Sequence, residues 1–507
     1  MIGYTELQAL IKSLRKDATT TGILQATGLN FYFLEPQAKT IYPVFYPLLA
    51  SIPRTSPMFN GMPVGGDGVH WKAITAIGAG DYPAISEGNR NAFMKFQEKD
   101  YFAAFKFLGE DTQVSFQAER MGQGFDDNIG LAQVSMLNLL LNNEERMILF
   151  GNSGSAGNGF QLGTAGTPTV AAVTTPSGKA NLSNATYYVR CVALTGWGVA
   201  LATATGLQLP FTRANADGST DTINGGTSAI SAASSGTATS SQSITATVTA
   251  IAGALGYGWY VGTAAATSSE QFVGVTSAPT ITITGTNYPG GGQQFANASS
   301  SAGNFTTDNS ANALDFDGLI TWCVNYSAAA QPSYIKDLGG AQLTAVGDGT
   351  IAEFETVFDF FWSNYKLTFD KIYLGGTLID RVAKAILAAG VSNATTRLVF
   401  ETDSAGRLVG GTFPIAYRSK YGPMQVKQID VTTHPWLPDG VAFFDLQTNP
   451  YPAAGNAIPA VRRIMTLEDH FSIKWPYRRL QHEVGVYSFQ TLQHYIPFGT
   501  AMLTGIG

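Results

Sequence analysis

The sequence predicts an α+β protein that carries an inserted all-β domain. Apolar residues recur at steps of three or four along 113–149, which is the period of a helix, and runs of alternating apolar and polar residues lie on both sides of it. Residues 151–310 then change in composition, because they hold only seven charged residues and are rich in Gly, Ala, Ser and Thr. The predicted α+β protein is therefore interrupted at 151–310 by a segment of different composition.

Composition excludes several classes of protein. The chain has 507 residues, of which 45% are hydrophobic and 13% charged, with a net charge of −6. This much apolar material excludes a disordered chain, and the negative charge does not favour sequence-specific nucleic-acid binding. Two cysteines exclude a disulfide scaffold. The sequence shows neither a signal-peptide pattern nor a run of about 18 apolar residues, so we expect no membrane span.

The first 63 residues are predicted to be an arm. Residues 1–20 have the pattern of a short amphipathic helix, for which simple docking and a basic contact with nucleic acid both stay open. Residues 22–63 are rich in proline, which prevents a long regular element, and in aromatic side chains, which bury large areas when they dock. The candidate docking residues are Phe31, Tyr32, Phe33, Tyr42, Phe45 and Tyr46.

Residues 64–110 are predicted to form a long hairpin, with strands at 69–75 and 101–107. About 25 residues separate the two strands, far more than the roughly two to five of an ordinary hairpin loop. We therefore expect the loop to be functional or bound to a partner. The candidate contact residues on it are Tyr82, Arg90, Phe93, Lys95 and Lys99.

The remaining elements follow from periodicity and turn signals. Gly122 and Gly124 predict a kink in the long helix, and Asp126 or Asp127 is suited to cap its second half. The insert at 165–290 has the alternation of a small β-sandwich, followed by a linker at 287–312. Beyond it, helices are expected at 315–327, 350–365 and 377–389, and strands at 370–375, 395–401, 424–431, 440–446, 470–475 and 482–491.

No arrangement of residues that carries chemistry is found in the sequence. The five histidines do not pair at metal-binding spacing, and residues 151–155 lack the strand and the last glycine of a nucleophile elbow. Asp315-Phe316-Asp317-Gly318 is too short for a calcium loop and is interpreted as a helix start. We therefore expect no catalytic residue, no cofactor and no metal, and a function that consists of contact itself.

The order of these segments resembles tailed-bacteriophage major capsid proteins, whose fold is shared with herpesvirus shells. Val69-His70-Trp71-Lys72-Ala73 resembles the first E-loop strand of that family, and 113–151 with its Glu144-Glu145 pair resembles the spine helix. Residues 373–379 resemble a strand-to-helix step of the axial domain, and 492–501 a common C-terminal segment. Within the insert, 184–194 and 253–261 resemble strands of immunoglobulin-like or fibronectin type III modules.

The resemblance implies a division into domains. These are an N-terminal arm (1–63), an E-loop hairpin (64–110), the spine helix of a peripheral domain (111–151), an immunoglobulin-like or fibronectin-type-III-like sandwich (165–290), an axial domain (313–460) and C-terminal strands of both main domains (461–507). It also implies a virion protein, assembled in the host cytoplasm, that forms the hexamers and pentamers of an icosahedral head, with the hairpin reaching over a neighbouring subunit.

The implied partners are further copies of the chain, a portal, non-specifically packaged double-stranded DNA, and a separate scaffolding or decoration protein or none. Lys95 and Lys99 are interpreted as solvated or salt-bridging lysines rather than as crosslinking ones. Two alternatives stay open. One is a tail-tube or decoration protein of a virion, and the other is a glycan-binding or hydrolytic surface protein built around the sandwich.

Overall fold

Helices and mixed sheets enclose an all-β section in the middle of the chain, so the α+β class is confirmed. A computed structural model describes residues 45–507, apart from 60–61, 64, 78–81, 83, 91–92, 94, 123–126, 205, 216, 266–269, 289–304, 330, 347–349, 392–415, 422–426, 452–459 and 478. Phe31, Tyr32, Phe33, Tyr42 and the strand predicted at 395–401 lie outside the described residues.

The first part of the chain builds the predicted hairpin and the long helix. Its elements are α1 (Pro47–Ser51), β1 (Arg54–Thr55), β2 (Met58–Phe59), β3 (Met62–Pro63), β4 (Gly68–Ile77), β5 (Phe96–Ala104), β6 (Lys106–Ser115), α2 (Phe116–Gly122) and α3 (Asn128–Phe150). Strands β4 and β5 pair antiparallel as a ribbon of two strands. They are the hairpin that the sequence predicts.

The helix predicted over 113–149 starts later and is divided in two. Residues 113–115 belong to β6, because their backbone pairs with residues 481–483 and this ladder overrides the helical period of the side chains. Helix α2 ends at Gly122, and α3 follows after Asp127, whose carboxylate accepts a hydrogen bond from the Gly130 N–H at 3.1 Å. The break and the cap are both predicted by the sequence.

The hairpin predicted over 64–110 also ends earlier than expected. Strand β5 stops at Ala104, the Phe105 N–H donates to the Asp67 carbonyl at 3.0 Å, and β6 pairs in a different sheet. The stretch 101–107, predicted as one strand, is therefore divided at Phe105 between β5 and β6, which belong to different sheets.

The insert is a sandwich of two antiparallel sheets. Its elements are β7 (Thr169–Thr174), β8 (Ala185–Leu194), α4 (Gly196–Leu201), β9 (Phe211–Ala214), β10 (Thr220–Ile223), β11 (Ser234–Ala238), β12 (Gln242–Thr247), β13 (Gly256–Gly262), β14 (Gln271–Thr276) and β15 (Thr280–Ile283). The sheets β11-β8-β13-β14 and β15-β12-β7 share one core, in which Tyr187 and Trp259 meet Ile244 and Ile283. Its assignment to immunoglobulin-like modules stays a prediction.

The insert is packed against the rest of the chain rather than tethered by a linker. Phe305, within the predicted linker, is fully buried against Tyr260 and Phe272 on the second face of the β8–β13 sheet. Leu255 belongs to the core that also contains residues of α3. A side chain at Gly196 would overlap the ring of Phe150, so α4 sits directly on the end of α3.

The last part of the chain returns to mixed structure. Its elements are α5 (Leu319–Tyr326), β16 (Tyr334–Asp337), α6 (Ala352–Tyr365), β17 (Lys371–Leu374), α7 (Leu378–Val391), β18 (Ala416–Ser419), β19 (Lys427–Thr433), β20 (Ala442–Asp445), β21 (Arg462–Lys474), β22 (Gln481–His494) and β23 (Thr500–Thr504). Helices α6 and α7 share a core with the six-stranded sheet β16-β23-β20-β17-β19-β18.

Two strands from this last part complete the sheet on which α3 lies. Strands β21 and β22 stand between β1 and β6, in the order β1-β21-β22-β6. We call this the helix-backed sheet, because α3 packs against β6 and β22. The predicted segment 461–507 thus contributes to both sheets, since β23 lies in the six-stranded one.

Candidate assembly interface

The base of the hairpin is docked on its own chain. Trp71 and Tyr101 face each other in register, stack with ring centroids 5.5 Å apart, and are 7% and 5% exposed. The Trp71 ring also lies 6.0 Å from that of Trp322 in α5. This half of the hairpin is part of the molecule's core and needs no partner.

The distal half of the hairpin is much more exposed. Phe93 is 97% exposed and Tyr82 is 76% exposed, and Ile74, Ile85 and Phe96 are each more than half exposed. Two strands alone are marginally stable in water, and both outer edges of the β4–β5 ribbon are unpaired among the described residues. Exposed apolar side chains in such a group are typical of an interaction surface.

The structure separates the predicted contact residues into groups. Tyr82, Arg90, Phe93 and Lys95 lie exposed on the distal hairpin, as the prediction requires. Phe45 is exposed and Tyr46 half-buried at the start of the described chain. The Lys99 ammonium instead lies 4.5 Å from the ring centroid of Tyr326. Lys99 therefore already has an aromatic contact within its own chain.

The first half of α3 is a second unsupported surface. Residues 128–143 contain no charged side chain, yet between 128 and 139 only Met136 is buried. Val134, Ser135 and Leu139 are exposed, and we call them the α3 stripe. Surface helices usually carry charged or polar residues on the face that is turned away from the core. The first half of α3 is therefore a candidate contact surface.

The third surface is the face of the helix-backed sheet that points away from α3, and sequence reasoning missed it. Its rings come from β6 and from the distant hairpin that β21 and β22 form. Phe107 stacks on Tyr487 at 5.3 Å, and Phe471 lies 5.8 Å from Tyr487. The aromatic face consists of Phe107, Phe471, Trp475, Tyr487 and Phe489.

Two glycines shape the aromatic face. A side chain at Gly109 or at Gly485 would overlap the Tyr487 ring, which therefore lies flat across both strands. The Tyr487 hydroxyl donates to Asp111 Oδ1 at 2.5 Å, and the Trp475 indole N–H donates to the same oxygen at 3.3 Å. Phe107 remains 59% exposed on top of this platform. The result is a fixed, flat aromatic surface with a carboxylate at its margin.

Glu145 fixes the root of the N-terminal arm. Its carboxylate accepts hydrogen bonds from the backbone N–H groups of Leu48 at 2.8 Å and Leu49 at 2.7 Å. Its Oε1 also lies 2.9 Å from Nε2 of His434, in the loop after β19. The carboxylate is fully buried, so it ties α1, α3 and the six-stranded sheet together without access to water.

Glu144 makes the matching connection to the helix-backed sheet. Its Oε1 accepts from Arg54 Nη1 at 2.5 Å, and its Oε2 lies 2.9 Å from His470 Nε2. Arg54 also binds Asp469 at 2.5 Å. The acidic pair noted in the sequence therefore holds α1 and β1, the first described elements of the chain, against α3 and the helix-backed sheet.

The described residues could have supplied a metal site or a reactive thiol. They contain no group of three or more metal-ligating side chains. Burial raises the pKa of the Cys323 thiol to about 11, against the lowering effect of hydrogen bonds with Thr500 and Ser333, and burial also raises the pKa of Cys191. Among the helices of this part of the chain, none has the length and apolar character needed to cross a bilayer.

No family model matches the sequence, and no curated protein matches it. Among solved structures, the chain is similar to the capsid of the native GTA particle, with 10% identity, a TM-score of 0.40, and coverage of 96% of this chain and 100% of that one. It is similar to the capsid of cyanophage A-1(L), with 9% identity, a TM-score of 0.42, and coverage of 95% and 98%. It is also similar to the holo-SrpI encapsulin complex from Synechococcus elongatus PCC 7942, with 8% identity, a TM-score of 0.34, and coverage of 96% and 96%.

Proposed function

We propose that this chain is the major capsid protein of a tailed phage, which assembles as hexamers and pentamers into an icosahedral head around double-stranded DNA. The observation that carries the proposal is the contrast within one hairpin, whose base is buried in the core while its distal half presents apolar side chains to solvent. The α3 stripe and the aromatic face likewise present exposed apolar side chains on elements whose other side is buried. A subunit of a closed shell has this need for partners.

The aromatic face is the surface that we propose receives the hairpin of a neighbour. Both surfaces are apolar and exposed, and Arg90 and Lys95 of the hairpin would meet Asp111 at the margin of the face. A contact between two different surfaces of identical chains is heterologous, and such contacts close into rings when the rotation permits. Rings are the capsomers that the proposal requires.

The remaining partners belong to the same proposal. We assign the insert, with its few charges, to the surface of the particle, and we assign no enzymatic role to the chain. A portal is a partner by the sequence resemblance, as is a separate scaffolding or decoration protein if one is used. Packaged DNA is neutralised largely by its counterions, so a net charge of −6 is compatible with it.

A crosslinking experiment tests the proposed contact directly. In the variant Phe93→Cys/Phe107→Cys, the two thiols cannot meet within one chain, because the extended strand between Phe96 and Ala104 alone spans about 27 Å and a disulfide joins Cα atoms at most about 7 Å apart. Oxidation should therefore link chains into ladders up to hexamers. The native Cys191 and Cys323 are buried and do not interfere.

The matched control is Phe93→Cys/Asp430→Cys, which moves the second thiol to an exposed position of the six-stranded sheet. If Phe93→Cys/Phe107→Cys forms ladders and the control does not, the contact between the hairpin and the aromatic face is supported. Equal ladders from both variants, or no ladder from either, would contradict it. Electron microscopy of the same preparation distinguishes closed shells from tubes and from unassembled chains. Tubes would indicate a tail protein, and a monodisperse monomer would contradict assembly altogether.

A further inference from the structure

The insert leaves and rejoins the chain at one point, which we call the neck (residues 151–160 and 308–318). Helix α5 begins at Leu319 with Gly318 as its N-cap, four residues later than the predicted start at Asp315. The Gly318 N–H donates to the Gly151 carbonyl at 2.8 Å, and the Thr321 hydroxyl donates to the same carbonyl at 2.6 Å. The returning segment is thus held against the end of α3.

Asp317 joins the outgoing segment to the returning one. Its carboxylate accepts from the Ser153 N–H at 3.0 Å, from the Ser153 hydroxyl at 2.7 Å and from the Asn158 N–H at 2.9 Å. The Asn158 side chain then donates to the Phe102 carbonyl at 2.6 Å, at the base of the hairpin. One buried carboxylate therefore connects α5, the start of the insert and β5.

Asp315 is a second buried acid in the same place, with weaker support. Its side-chain donor within the described part of the chain is Asn312 Nδ2, at 3.3 Å. The charged groups that act on it are Asp317 and Lys106, and the Lys106 ammonium donates to the Ala313 carbonyl at 2.6 Å. Two acids and one lysine thus share a site from which water is largely excluded.

We propose that the neck is a proton-sensitive clasp, in which a proton kept on the buried acid pair holds the insert and the base of the hairpin against the end of α3, and loss of that proton loosens all three. Since Asp317 is bound by three donors on residues 153–158, repulsion between two ionised acids displaces the segment around Asp315. Asn158 transmits this displacement to Phe102 in β5, and Lys106 transmits it to the start of β6. The effect on assembly rests on the proposed function, but the clasp itself does not.

The direction of the pH dependence follows from the environment of Asp315. Burial and the charge of Asp317 raise the pKa of Asp315, and the bond with the Asn152 backbone and the charge of Lys106 lower it, so that it lies at about 7. Burial also raises the pKa of Asp317, against its hydrogen bonds and Lys106. An acid whose pKa is raised in the closed neck favours closure at low pH. Opening should increase by up to about tenfold per pH unit between about 4 and 7, and then level off.

Hydrogen exchange of the full-length chain tests the clasp. Amide protection of residues 102–106, 152–160 and 310–317, corrected for intrinsic exchange rates, is compared at pH 5 and pH 7.5. We expect protection in the wild type to fall at least tenfold over this interval. Asp315→Asn should remove the fall, and the exposed control Asp430→Asn should retain it.

Lys106→Met gives an independent result if Asp315→Asn fails to fold. Without the lysine, the pKa of Asp315 rises, so protection should continue to fall above pH 7 instead of levelling off. A wild type whose neck protection is independent of pH, or an Asp315→Asn variant with an unchanged fall, would overturn the clasp. Sedimentation of each variant measures assembly separately, so loss of the clasp and loss of shell formation are distinguishable.

Discussion

The hairpin offers two substitutions with opposite expected consequences. Phe93 is 97% exposed, so Phe93→Ala should leave the unfolding free energy of the isolated chain unchanged. If a neighbour covers this ring in the shell, truncation removes about 2–3 kcal/mol from each contact, which corresponds to about 30- to 150-fold weaker association. Trp71→Ala, in the buried base of the same hairpin, should instead destabilise the chain itself by about 3–5 kcal/mol.

Urea unfolding of dilute, unassembled chain measures the unfolding free energy. Sedimentation velocity over a concentration series measures the strength of association between chains. We expect Phe93→Ala to raise the concentration needed for assembly with an unchanged urea midpoint. The reasoning is refuted if Phe93→Ala lowers the unfolding free energy by more than about 1 kcal/mol, since side chains this exposed contribute little to folding. It is equally refuted if the assembly threshold does not move.

Changes at Glu145, at Gly485 and in the insert test the internal contacts of the chain. Glu145→Ala leaves two backbone N–H groups and one imidazole without an acceptor and should cost about 4 kcal/mol in urea unfolding, while Glu145→Gln should cost about 1–2 kcal/mol; equal costs would exclude the carboxylate as the anchor. Gly485→Ala should lower the unfolding free energy by about 1–3 kcal/mol because its methyl group overlaps Asp111 Oδ1 and the Tyr487 ring, and Tyr487→Ala should restore the part of the loss that is due to the ring. Deleting 165–290 should destabilise the remaining chain by at least about 2 kcal/mol by uncovering Phe150, whereas an unchanged thermal midpoint would show that the insert is separable.

The sequence was sufficient to predict those features of the fold that depend on neighbouring residues. The Asp127 cap and the interruption at Gly122 depend on residues within one turn of each other. The start of the helix could not be predicted in the same way. Residues 113–115 have helical spacing, but a strand about 370 residues further along the chain pairs with them, and long-range pairing overrides local preference.

The interface was predictable only in part for the same reason. The exposed hairpin residues follow from a loop too long to be supported by its own strands. The aromatic face joins Phe107 to Phe471 and Tyr487, which only the order of the sheet brings together. Asp315 and Asp317 lie side by side with Lys106 and Ser153 because the insert starts and ends at one point. Sequence spacing carries no signal for any of these encounters.

A cryo-electron microscopy reconstruction of particles formed by the purified chain is the most direct test of the account. We predict closed shells in which the Phe93 side chain and the α3 stripe of each subunit are covered by a neighbouring copy. Particles or monomers in which both surfaces face solvent would contradict the claim that this chain is completed by copies of itself.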